Sequence, residues 1–158
     1  MSHVQTYSID TSALIQASSR AYPIDVFPSW WTEFDQLINK GIVICIEEIY
    51  EEVKKKDDIL FNWVKQRKSQ FFHPLETQIQ IAATKILAKF PTLIDSSKNR
   101  SGADPFVISL ALVKNLTVVT EEKNEGNQKR PRIPYVCNYY QVNCISLVEM
   151  MREIAWSF

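Results

Sequence analysis

Five consecutive residues, Ile42-Val43-Ile44-Cys45-Ile46, carry no polar side chain, and four of the five are β-branched. Such a run fits a strand buried on both faces, the situation of a parallel sheet covered by helices on each side. Three other short runs read as strands: residues 5–10, which end in Asp10; residues 116–120, which are followed by Glu121 and Glu122; and residues 142–145. Helical stretches separate them. Alternating β and α elements predict a three-layer α/β/α fold with a central, mainly parallel sheet of four to five strands and right-handed crossovers. A chain of 158 residues is long enough for one domain with a sizeable core, so residues 1–158 read as a single domain.

The helices are punctuated locally. Thr11 or Ser12 offers a hydroxyl cap for a helix over 13–18. Pro23 and Pro28 mark a loop, after which Ser29 is positioned to cap a helix from about 30 to 40 that Gly41 ends. Trp30, Phe34, Leu37 and Ile38 recur at helical spacing along it and read as core or partner surface. A helix over 47–56 carries Glu48 and Glu52 four residues apart, hence on one face. Residues 57–68 form a further helix that Phe71-Phe72-His73-Pro74 breaks, and residues 75–90 form a long one that Pro91 stops. Pro105 suits the first helical position, which puts Asp104 at or near the N-cap of an apolar helix through Val113. A short helix starts at 133–137, and Ser146 caps a closing helix over 147–155.

Composition removes several classes. Eighteen basic and eighteen acidic residues cancel, which argues against binding nucleic acid through bulk charge. The apolar runs fall far short of the ~20 residues that span a bilayer, and the N-terminus lacks the basic and apolar regions of a signal peptide, so a cytoplasmic protein that does not enter the membrane is expected. Cys45, Cys137 and Cys144 lack the paired short spacing of a zinc site and read as reduced, mostly buried thiols. His3 lies at the terminus and His73 beside a proline, so neither suggests a general base.

The acids are more informative. Asp10 and Glu122 follow separate strands, Glu52 lies on a helix entered from another, and Asp104 begins the helix before the third. In an open parallel sheet ligands bind beyond the carboxyl ends of the strands, where all four could meet. Carboxylates brought together repel unless a cation compensates them, and hard oxygen ligands select Mg²⁺ or Mn²⁺. One or two such ions can activate water and clamp the oxygens of a phosphodiester.

In order and spacing, Ile9-Asp10-Thr11-Ser12-Ala13-Leu14, a Glu on the helix after the second strand, Ala103-Asp104-Pro105-Phe106-Val107-Ile108-Ser109-Leu110-Ala111 and Val119-Thr120-Glu121-Glu122 resemble the PIN-domain ribonucleases, most closely the VapC-like toxins of type II toxin–antitoxin pairs. The insert Tyr22-Pro23-Ile24-Asp25-Val26-Phe27-Pro28 is similar to that of a bacterial PIN-like subgroup. The resemblance covers most of the chain and implies a PIN-like fold, a metal-dependent endoribonuclease and a cognate antitoxin partner, and it allows a homodimer. It places the four catalytic, metal-holding acids on Asp10, Glu52, Asp104 and Glu122, with Ser12, Thr11 and Thr120 in support and Glu48 as the rival of Glu52. Two departures stand out: Glu122 occupies a position where the family pattern Thr-x-Asp has Asp, and net positive charge is missing. RNA contact would then rest on local basic residues, Lys98, Arg100, Lys123 and Lys129. The resemblance also directs an antitoxin toward the insert and the aromatic helix around Trp30, Trp31 and Phe34. A PIN-fold module that binds RNA or protein without cutting is the alternative. A receiver domain would need an acidic pair after the first strand, where Asp10 stands alone, and a dehalogenase-type phosphatase would need an acid at Ser12.

Overall fold

A computed structural model of the chain describes residues 5–94, 102–123 and 126–156. Five parallel strands form one sheet in the order β3-β2-β1-β4-β5, with β1 at Tyr7–Ile9, β2 at Val43–Ile46, β3 at Phe72–His73, β4 at Thr117–Val119 and β5 at Cys144–Ile145. The three-layer α/β expectation is therefore met. The fifth strand, β3, falls on residues that the sequence suggests are only a helix breaker. Its two residues pair with Cys45 and Ile46 of β2 and are too few to show any periodicity of their own.

Side chains alternate across β1 and fix the layers. Tyr7 and Ile9 point one way and Ser8 the other, and all three are fully buried. Tyr7 reaches α9 (Leu147–Glu153), where its hydroxyl donates to Glu153 at 3.0 Å. Ser8 faces α7 (Asp104–Lys114), and its hydroxyl donates to the Val107 carbonyl at 3.0 Å, which satisfies a polar group in the middle of the sheet. α7 itself is buried along most of its length and ends at Asn115, which adopts a left-handed conformation.

The remaining helices are α1 (Thr11–Ile15), continued by a π-helical segment at Gln16–Ala21, α2 (Pro28–Asn39), α3 (Glu48–Lys56), α4 (Asp58–Lys65), α5 (Lys68–Phe71), α6 (Thr77–Lys89) and α8 (Ile133–Tyr139). Several boundaries differ from expectation. Pro28, not Trp30, opens α2, because its fixed φ is already helical and its missing N–H is not needed in the first turn; Ser29 thus lies inside the helix and does not cap it. Thr11 and Ser12 are helical residues, and Asp10 occupies the N-cap position. Asp57 caps α4 by accepting from the Leu60 N–H at 2.9 Å, and the stretch to Lys68 splits into two helices. Gly41 ends α2 as expected, at a φ of +70°.

Trp30, Trp31 and Phe34 are core residues. Trp30 stacks between Tyr22 and Phe34, and Trp31 meets Trp63 edge to face. The aromatic face of α2 is spent inside the molecule and cannot serve as a docking surface. In the preceding insert Asp25, Val26, Phe27 and Pro28 are exposed, Val26 and Phe27 as large apolar side chains. The three cysteines are free, with Cys45 and Cys137 buried and Cys144 half-buried. No helix among the described residues is long and apolar enough to cross a membrane.

Candidate functional site

β1 delivers Asp10 to the carboxyl edge of the sheet, where it is only 3% exposed. Its Oδ2 accepts from the Ser12 hydroxyl at 2.7 Å and from the Thr120 hydroxyl at 3.0 Å, so residues following β1 and β4 converge on one carboxylate. The same hydroxyls accept from the chain beyond β4: Ser12 from the Glu121 N–H at 3.0 Å and Thr120 from the Glu122 N–H at 3.2 Å. Burial pushes the Asp10 carboxyl above its ordinary range, while the two hydroxyls and the nearby Thr11 and Ser12 N–H groups pull the other way. Burial wins.

Thr11 turns toward α3 and donates its hydroxyl to Glu52 Oε2. The Ala103 N–H, at the start of α7, also favours the charged form of Glu52. Even so, burial and the Asp10 charge raise the Glu52 carboxyl, with Lys56 one turn away opposing them. Glu48 behaves differently. Its Oε2 is buried without a hydrogen-bond partner, and burial raises its carboxyl as well. Of the two rivals on α3, Glu52 is the one tied to both α1 and α7. Cys45, at the end of β2, lies beneath these groups; burial, then the charges of Asp10, Glu52 and Glu48, push its thiol well up. That floor position has no signature in the sequence, where Cys45 is one more apolar residue of a strand.

Asp104 is the first residue of α7 and is 4% exposed, with Pro105 following it inside the first turn. Its neighbour Ala103 occupies the N-cap. The start of α7 therefore joins the Asp10 and Glu52 assembly through the Ala103 N–H.

The family described as "Domain of unknown function (DUF4411)" matches residues 7–158. The chain belongs to the DUF4411 family. No curated protein matches it. The matched span begins at the first residue of β1 and includes Asp10, Glu52, Asp104 and Glu122, so all four expected acids lie within the DUF4411 domain.

Glu122 and Glu121 each meet the start of a helix. Glu122 Oε2 accepts from the Ile133 N–H at 3.0 Å, at the start of α8, and Glu121 accepts from the Leu147 N–H at 2.8 Å, at the start of α9. Helix N-termini present orphan N–H groups and partial positive charge, and each glutamate answers one of them. Among the described residues no three acids, histidines or cysteines stand close enough to grip one ion together. The donor set nevertheless suits a hard cation in chemistry: Asp10, Glu48 and Glu52 are oxygen ligands whose charges burial suppresses, and no lysine or arginine among the described residues forms an ion pair with them. Of the basic residues expected to meet RNA, Lys98 and Arg100 lie outside the described residues. Lys123 is exposed and lines a hollow of about 370 Å³ with Thr120, Glu122 and Ser146, whereas Lys129 sits on a loop whose backbone carbonyl accepts from Thr92.

Proposed function

We propose that this DUF4411 domain is a metal-dependent endoribonuclease that hydrolyses RNA phosphodiester bonds at the carboxyl edge of its sheet. The observation that carries the reading is the link from β1 through the Thr11 hydroxyl to Glu52, which brings Asp10 and Glu52 into one electrostatically coupled, partly desolvated site beside the start of α7. Asp10, Glu52 and Asp104 would hold Mg²⁺ or Mn²⁺ partly through the ion's own waters, since no three of the described acids grip one ion directly. A bound ion supplies Lewis acidity and an activated water for in-line displacement at phosphorus. Ser12 and Thr120 fix the orientation of the Asp10 carboxylate, and Thr11 does the same for Glu52, the outer-shell role that keeps ligands in one rotamer. The PIN-like, VapC-like resemblance of the motifs supports a role as the toxin of a toxin–antitoxin pair, with exposed Val26 and Phe27 available to an antitoxin. One observation favours a second reading, a PIN-fold module that binds RNA or protein without cutting: Glu122 is engaged by α8.

The test is incubation of the purified protein with single-stranded and structured RNAs, with Mg²⁺ or Mn²⁺ and with chelator. Cleavage is expected only with metal and is expected to disappear in Asp10→Asn, Asp104→Asn and Glu52→Gln variants that remain folded. Cleavage that persists equally in Asp10→Asn and Asp104→Asn would mean a contaminating nuclease and end the assignment. If Glu48→Gln abolishes cleavage while Glu52→Gln leaves it intact, the helical ligand lies one turn earlier.

A further inference from the structure

We infer that the groove between α3 and the α4–α5–β3 segment holds single-stranded RNA alongside the cleaved bond, an inference that rests on the nuclease reading for its placement. The groove encloses about 720 Å³ and its two walls differ in charge. One wall, from α3, presents Glu48, Tyr50 and Glu51; the other presents Lys65, Lys68 and Phe72. Both lysines are exposed. The Lys68 ammonium lies 4.5 Å from the centre of the Tyr50 ring, and the Tyr50 and Phe72 rings meet edge to face at 5.3 Å.

These are the parts that an unpaired strand uses. Lysines meet phosphates without regard to sequence, and aromatic rings accept any base because every base has a π-face. Carboxylates opposite the lysines can accept from the amino groups of bases turned away from the backbone. A duplex buries its stacking faces and cannot reach the rings. Glu47, also in the groove, keeps its negative charge while its carboxylate accepts from the Leu75 N–H at 2.9 Å, so the phosphates are expected along the lysine wall.

The location fits the same role. β3 is separated from β1 only by β2, so at about 4.8 Å per strand the Phe72 wall of the groove lies roughly 10 Å from the strand that delivers Asp10. Glu48 stands one helical turn before Glu52 and belongs to the groove as well as to the helix that carries the site.

The experiment measures binding, in chelator, of a fluorescent oligoadenylate about ten nucleotides long and of a hairpin duplex of similar length. The single strand is expected to bind more tightly than the duplex. Lys65→Gln and Lys68→Gln should each weaken it by about threefold to tenfold, lower the salt slope by about one and leave the melting temperature unchanged. Tyr50→Leu should weaken it by about tenfold. Equal binding of duplex and single strand, or lysine variants that bind like the unmodified protein, would overturn the inference. So would capture of an oligoarginine peptide with no RNA binding, which would give the glutamate wall to a basic protein partner. Binding with these dependences but without Mg²⁺-dependent cleavage of the same oligonucleotide removes the nuclease reading and keeps the groove. Cleavage indifferent to both lysine substitutions does the reverse.

Discussion

Asp10 shows how one residue can be held firmly and still cost the fold energy. Two hydroxyls orient its carboxylate, yet burial raises its carboxyl above the ordinary range, and Glu52 is raised for the same reason. The folded protein therefore retains protons that the unfolded chain has already released. Stability from these groups is complete below the ordinary carboxylate range and is lost as pH rises through the raised folded values. Asp10→Asn removes the charge, and its amide nitrogen can donate to the same Ser12 and Thr120 hydroxyls, since each can also accept. In chelator, the melting temperature of the unmodified protein is expected to fall as pH rises above the ordinary carboxylate range, and Asp10→Asn to flatten that fall. The variant should melt a few degrees higher at neutral pH, at roughly 2–4 °C per kcal/mol for a chain of this size. Melting curves across pH check this. A fall as steep in Asp10→Asn as in the unmodified protein would place the controlling acids elsewhere.

At the scale of elements, the edge of the sheet is held by glutamates that answer helix N-termini. Glu122 accepts from the first N–H of α8, so Glu122→Ala should cost about 1 kcal/mol and lower the melting temperature by roughly 2–4 °C, whereas Glu122→Gln keeps an acceptor oxygen and should melt near the unmodified protein. Under the nuclease reading Glu122→Gln should also cleave at close to the full rate. A hundredfold loss in that variant with unchanged melting would show that its charge, not its anchoring of α8, matters. Elements were legible in the sequence where their cause is local. The β-branched run gave β2, Pro105 gave the start of α7, and Ser146 gave a complete capping box with Glu149. The misreadings have local causes too: β3 is too short to show a period, and Pro28 competes with Ser29 for the start of α2. The site was legible only as a set of acids. That Thr11 serves Glu52, or that Glu122 turns to α8, depends on how α3 and α8 dock and leaves no trace in spacing.

Across the whole molecule, the site exists only when distant segments assemble. Thr11 and Glu52 are 41 residues apart, and Asp10 and Thr120 are 110 apart, so the unfolded chain has no comparable arrangement. An ion held there binds the folded state alone and must stabilise the entire domain by mass action. At about 100 times its dissociation constant the gain is about 2.7 kcal/mol, or roughly 5–10 °C in melting temperature. The raised carboxyls make protons strong competitors, so the shift should grow as pH rises from the acid side and shrink as it falls. Thermal melts with Mg²⁺ or Mn²⁺ against chelator, repeated on Asp10→Asn and Glu52→Gln, measure this without relying on any RNA substrate. The shift should be present in the unmodified protein and absent from both variants. A shift of the same size in Asp10→Asn would locate the ion away from β1 and remove the metal from the proposed chemistry, however well the fold itself survives.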